Sequence, residues 1–140
     1  MSGEITAWLT LAEGGPAIFK LAFALLIGHM VADYPLQGVF LATAKNRRAD
    51  AAVLFGEKQV PRGLWIHALS AHSMIHGGVV WLLTGSVVLG LAETVLHWVI
   101  DYIRCEGWIG YTTDQMLHFS CKIAYALMLS AGWVAFGHGG

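Results

Sequence analysis

Charged residues are scarce in this chain of 140 residues: Asp, Glu, Lys and Arg make up 12%, against 56% hydrophobic residues. A water-soluble domain carries about 25% charged residues, so there is too little polar surface to cover a soluble globule. The mean hydropathy of +0.61 points the same way. The formal net charge of −1 leaves no basic footprint for nucleic acid. Cys105 and Cys121 lack metal-finger or redox spacing, and two cysteines are too few for a disulfide framework. The first residues carry Glu4 and Glu13 but no Lys or Arg, so they do not read as a secretory signal peptide. G-x-S-x-G, P-loop, H-E-x-x-H and C-x-x-C patterns are all missing. The chain is also too short for two sizeable domains, and a single membrane domain over residues 1–140 is expected.

What is present is apolar sequence in spanning lengths. A helix crossing the hydrocarbon core needs roughly 20 mostly apolar residues. Four stretches reach that length: residues 16–34, 64–84, 87–103 and 114–136. Pro16 suits a first helical turn, where its missing N–H costs nothing, and Pro35 discourages helix at the residue before it. Thr84-Gly85-Ser86 separates the second and third stretches into a tight antiparallel hairpin. The expected fold is therefore all-α, a polytopic membrane protein built as a four-transmembrane-helix bundle. A short amphipathic helix is expected around residues 39–53, within the loop 38–63. Residues 1–11 are expected to lie along the interface, anchored by Trp8.

Lys45, Arg47, Arg48, Lys58 and Arg62 fall between the first and second stretches, and Arg104 falls between the third and fourth. Only Lys20 and Lys122 lie elsewhere. The positive-inside rule puts both loops in the cytoplasm, so the expected location is the cytoplasmic (inner) membrane, multi-pass, with both termini outside.

Each of the four stretches carries two candidate ligands spaced i, i+4: His29 and Asp33, His72 and His76, His97 and Asp101, Asp114 and His118. Residues four apart share one helix face, about 6 Å apart along the axis at 1.5 Å per residue. With the topology above, all four pairs fall in the cytoplasmic part of the bundle. Asp33, Asp101 and Asp114 are expected in an outer layer, with His29, His97, His118 and His72 one turn deeper. Glu93, Lys122 and His76 are expected deeper still, with Glu93 and Lys122 neutralising one another.

Ionisable groups within a span cost a few kcal/mol on insertion scales and are usually inward, paired and functional. Imidazole with carboxylate suits a divalent transition metal such as Zn, Fe or Mn, and bundles build metal sites from inward ligands on facing helices. The alternative is a metal-free network gluing the helices. Interhelical hydrogen bonds in membranes average only about 0.6 kcal/mol, which Ser, Thr or Asn would supply more cheaply. Gln37 and Gln115 stand beside the cluster as hydrogen-bond donors. Gly28 and the Gly77-Gly78 pair permit close helix approach. His67 is off the His72/His76 spacing and reads as an interfacial histidine or, alternatively, an extra ligand, and His138 sits in a glycine-rich tail on the opposite side. Trp65, Trp81, Trp98, Trp108 and Trp133 read as aromatic-belt anchors.

The runs GHMVADYPLQ, HSMIHG, HWVIDY and DQMLH, in this order, resemble a family of small uncharacterised bacterial and phage membrane proteins, a domain of unknown function. The resemblance covers roughly residues 20–130. It implies family positions at His29, Asp33, Gln37, His97, Asp101, Asp114, Gln115 and His118, with His72 and His76 less surely aligned, and it names no reaction. Pro35 within the first motif and the extra His67 depart from the pattern. Together these readings lead to an expected intramembrane His/Asp metal site, with metal-dependent hydrolysis of a lipid or lipid-linked substrate as its activity. The alternatives are a non-enzymatic accessory subunit of a larger membrane complex and a metal or proton transport element. The expected partners are the lipid bilayer, a lipid substrate or a larger complex, and a second copy of the chain; nucleic acid is not among them.

Overall fold

The computed structural model describes residues 15–134. The expected interfacial segment 1–11, His138 and the expected helix end at residue 136 lie outside the described residues. Among the described residues five α-helices follow one another: α1 (Gly15–Asp33), α2 (Gly38–Ala44), α3 (Leu64–Thr84), α4 (Val87–Cys105) and α5 (Tyr111–Ser130), with a 3-10 turn at Ala51–Leu54 before α3. No strand occurs among the described residues, and the protein is all-α.

Local chemistry sets the helix ends. Pro35 follows α1, and the chain bends by 82° before α2. Gly85 closes α3 in a left-handed conformation (φ 68°) that only glycine adopts cheaply, its N–H donating to the Trp81 carbonyl at 2.7 Å. One residue later the Ser86 hydroxyl accepts from Leu89 N–H at 3.3 Å and starts α4. The helix expected over residues 39–53 is divided: α2 ends at Ala44, and Asp50 caps the 3-10 turn by accepting from Ala52 N–H at 3.0 Å. The fourth long helix begins at Tyr111 and ends at Ser130, earlier at both ends than its apolar pattern suggested. Gly132 (φ 71°) turns the chain there.

α3 and α4 form the most extensive packing, with α1 against α3 and α5, and α5 against α4. Glycine sets the closeness of the α3–α4 pair. A Cβ on Gly77 would lie 2.6 Å from the Gly90 carbonyl oxygen and would also strike Thr94. Since backbone must move to admit it, Gly77→Ala is expected to destabilise the fold by about 1–3 kcal/mol. Thermal unfolding of the purified protein reads this loss directly. Gly78→Ala is the control, because nothing lies within 4 Å of a Cβ there.

The interior has two halves. An apolar cluster of Leu21, Leu25, Val80, Leu89, Tyr125, Ala126 and Leu129 fills the half nearer the α3–α4 turn. The other half is polar: His29, His72, His76, Glu93, His97, Asp101, Asp114, His118 and Lys122 are all buried. The outer faces reverse this order, with Phe19, Phe23, Met74, Leu91 and Val95 each more than 60% exposed. No single helix among the described residues is long and apolar enough to cross a membrane, and one bent pair, Ala17–Asp33 with Gly38–Ala44, passes together on length and composition.

Candidate metal centre

Five histidine rings meet in the polar half, delivered by all four long helices. His76 stacks on His97 with ring centroids 3.6 Å apart, and His97 stacks on His118 at 4.1 Å. His72 lies 4.9 Å from His97, and His29 lies 5.0 Å from His76 and 5.1 Å from His118. Gly28 makes the approach of α1 feasible, since a Cβ there would come within 2.5 Å of the Val79 side chain on α3. His76 therefore belongs to the histidine layer and not, as its helical position suggested, to a deeper one with Glu93 and Lys122. Its ring leans toward Asp33, bringing Nε2 to 3.3 Å from Oδ1.

The carboxylates stand against these rings. Asp33 Oδ1 also lies 3.3 Å from His72 Nε2, and its Oδ2 lies 3.5 Å from His29 Nε2. Asp101 faces His118 at 3.3 Å, His72 at 3.4 Å and His97 at 3.6 Å. Asp114 Oδ1 is 3.5 Å from His118 Nε2. A tetrahedral ion bound at about 2.0–2.2 Å by nitrogen and oxygen donors holds neighbouring donors roughly 3.3–3.6 Å apart. The distances observed fall in that range. Several of these close pairs lack hydrogen-bond geometry: both ring nitrogens of His72 and His76, Nε2 of His97, Nδ1 of His29 and Oδ1 of Asp114 are buried without a hydrogen-bond partner. Buried polar atoms are normally satisfied, and the residues carrying these orphans belong to groups that could hold a metal ion.

All eight residues singled out from the spacing fall into three overlapping groups: Asp33, His72, His76 and His97; His29, His97 and His118; and Asp101, Asp114 and His118. Within each group the donor atoms lie within 4.8 Å of one another. His97 and His118 are each shared between two groups.

The surroundings orient the donors. His97 Nδ1 lies 3.3 Å from Glu93 Oε1, which leaves its Nε2 facing the cluster. A carboxylate behind a histidine in this way fixes the tautomer and raises its basicity as a ligand. Glu93 is itself held by Lys122 and by the Tyr125 hydroxyl, which donates to Oε2 at 2.9 Å. Gln115 donates to Asp33 Oδ2 at 3.0 Å and to Asp114 Oδ2 at 3.2 Å, tying α1 to α5. Gln37 donates to the Asp33 carbonyl at 3.1 Å.

Two features of the site were invisible in the sequence pattern. Lys45, just beyond α2, donates to Asp101 Oδ2 at 2.5 Å. Glu106, buried at the end of α4, pairs with Arg47 and Arg48, and the Arg47 Nη2 bond is 2.9 Å long. Hydrogen bonds from Arg47 hold the Glu106 carboxyl below the usual carboxylate range. This clamp seats the loop over the carboxylate end of the bundle. His67 is exposed on α3 and joins none of the groups. Above the carboxylates the chain leaves a cavity of about 230 Å³, lined by Asp33, Asp101 and Asp114 together with Lys45, Arg104 and Tyr111 among others.

The fold and the site define a class: a helical bundle with a buried His/Asp constellation under a polar cavity. Residues 21–136 match the family described as "Protein of unknown function (DUF3307)", and the chain belongs to that family. No curated protein and no solved structure matches it.

Proposed function

We propose that this protein is a membrane-embedded bundle that holds one or two divalent transition metals, Zn, Fe or Mn, near the cytoplasmic leaflet and hydrolyses a lipid or lipid-linked substrate there. The observation that carries the metal reading is the convergence of eight donor residues at 3.3–3.6 Å spacings, with both ring nitrogens of His72 and His76 and Nε2 of His97 left without a hydrogen-bond partner.

Three observations support the membrane setting. The long helices have 19 to 21 residues, which at 1.5 Å per residue gives about 30 Å, the thickness of a hydrocarbon core. Their exposed faces are mostly apolar and, apart from exposed Lys20 and His67, their Asp, Glu, His and Lys side chains are at least partly buried, the order expected when the solvent is lipid. Aromatic residues gather at both ends: Trp65, Trp98 and Tyr102 stack near the loop with Arg47 against them, and exposed Trp81 and Trp133 lie at the other end. The cations of the 38–63 loop support a carboxylate end in the cytoplasmic leaflet with both termini outside.

Asp33, His72, His76 and His97 form a four-donor group suited to a closed site, whereas Asp101, Asp114 and His118 form a three-donor group whose two carboxylates line the cavity. Three protein ligands with an open position is the usual arrangement of a catalytic centre. Asp101, Asp114 and His118 would hold a divalent ion there, which would supply Lewis acidity and an activated water. Glu93 sets the tautomer of His97, and Gln115 holds Asp33 and Asp114 in register. Asp33 lines the same cavity and, where the four-donor group is not loaded, would accept the proton of the attacking water. Transport is the weaker reading, because the apolar cluster around Leu25 and Leu89 fills the interior beyond Glu93.

Metal analysis of the detergent-purified protein tests the reading. Wild type is expected to retain metal through dialysis, with His118→Ala and Asp101→Ala depleted. Substoichiometric metal in the wild type under retaining conditions would sink the proposal.

A further inference from the structure

The cavity above the carboxylates carries charges of both signs. Asp33, Asp101 and Asp114 line it on behalf of the donor cluster, and Lys45 and Arg104 supply two cations. Lys45 already bonds Asp101, but Arg104, half-buried, makes no ion pair with any described residue. The buried Asp114 Oδ1 at this cavity is also without a partner. Three carboxylates against two cations repel an anion. Each bound dication adds two positive charges and inverts that balance.

A second concavity adjoins the first. Phe23, Leu26, Ile27, Met30, Val31 and Tyr34 line a wholly apolar groove on the outer face of α1, closed at its end by Pro35. The Tyr34 hydroxyl is hydrogen-bonded to that of Tyr111. Tyr34 lines the groove and Tyr111 lines the cavity, so this pair forms the wall at which apolar and polar spaces meet.

We propose that the substrate is a lipid bearing a phosphate-type anionic headgroup, its head in the cavity against Lys45, Arg104 and the bound metal, and its chain along the α1 groove. This inference rests on the metal reading above and names the substrate class of that site. A planar guanidinium without a protein partner is suited to bidentate contact with phosphate oxygens. The apolar groove accepts the chain from lipid without exposing it to water. The dependence on metal separates this arrangement from a surface basic patch, which binds anions with or without it.

Calorimetric titration of the metal-loaded protein in detergent tests the proposal with three probes: dioctanoyl phosphatidate, dioctanoylglycerol and inorganic phosphate. Phosphatidate is expected to bind well above the other two, and chelation of the metal is expected to abolish its binding. Arg104→Gln is expected to weaken phosphatidate binding by about tenfold or more, the loss of one charge-assisted contact. That variant breaks no ion pair among the described residues and should keep its metal content. Leu26→Trp, which fills the groove, is expected to weaken phosphatidate and leave inorganic phosphate unchanged. Equal affinity for inorganic phosphate and phosphatidate, binding of phosphatidate to the chelated protein at full strength, or indifference to Arg104→Gln would each overturn the proposal. Metal content measured on the same samples keeps the two readings apart. A wild type that holds metal but rejects phosphatidate loses the substrate and keeps the centre; one that holds no metal loses the centre itself.

Discussion

His97→Ala is expected to deplete bound metal more severely than removal of any other single donor, because His97 serves two of the three donor groups and is the member that joins the four-donor group to the rest. It shares one group with Asp33, His72 and His76 and another with His29 and His118. Without it the four-donor group keeps three members and the group of His29 and His118 keeps two. Changes in the groups behind a metal ligand already cost about 10–100-fold in affinity, so loss of a shared ligand should exceed that. The fold should survive, since Glu93 still has Lys122 and Tyr125 as partners. Metal analysis after dialysis, with a helical-content spectrum of the same sample, measures both quantities. His67→Ala is the control, an exposed histidine of α3 outside the groups, and should retain metal at the wild-type level. Equal metal in His97→Ala and wild type would remove His97 from the centre.

The second large effect concerns stability. Lys122 and Glu93 are each 1% exposed and paired beneath the histidines. Lys122→Met leaves the Glu93 carboxylate buried without its counter-charge, and breaking such a pair costs about 3–5 kcal/mol. Replacing both partners removes the uncompensated charge, so Glu93→Gln combined with Lys122→Met is expected to recover most of that loss. Stability measured as a double-mutant cycle in detergent reads the coupling. The two properties should separate. The double variant regains stability but binds metal more weakly, because a neutral amide in place of the Glu93 carboxylate gives His97 less support. A single Lys122→Met variant as stable as wild type would show that Glu93 is not charged in the folded protein.

The four i, i+4 pairs were legible because helical periodicity is local: a residue and its fourth neighbour share a face whatever the helix packs against. The hairpin at Thr84-Gly85-Ser86 was legible for the same reason, being set by a glycine and a hydroxyl cap within a few residues. The expectation for residues 39–53 was less accurate. Its apolar residues suggested one amphipathic helix, but Asn46 and Asp50 offer side-chain oxygens that compete with helical hydrogen bonds. Asn46 Oδ1 accepts from Arg48 N–H at 2.9 Å, and the chain turns there. Lys45 and Glu106 carried no pattern at all. Lys45 read only as one of several loop cations marking the cytoplasmic side, and nothing in the sequence singled out Glu106.

From the sequence alone follow the helices and the residues that share each face, because backbone geometry and turn chemistry act over three or four positions. Which faces meet is a different matter, since it depends on contacts between residues far apart in the chain. Packing of α1 against α3 and α5 brought His29 among the rings of His76 and His118. The same packing drew His76 up to Asp33, swung Lys45 onto Asp101 across 56 positions and shaped the cavity above the carboxylates. The chain's local code set out the donors in pairs; the close approach permitted at Gly28, Gly77 and Gly90 gathered them into one centre.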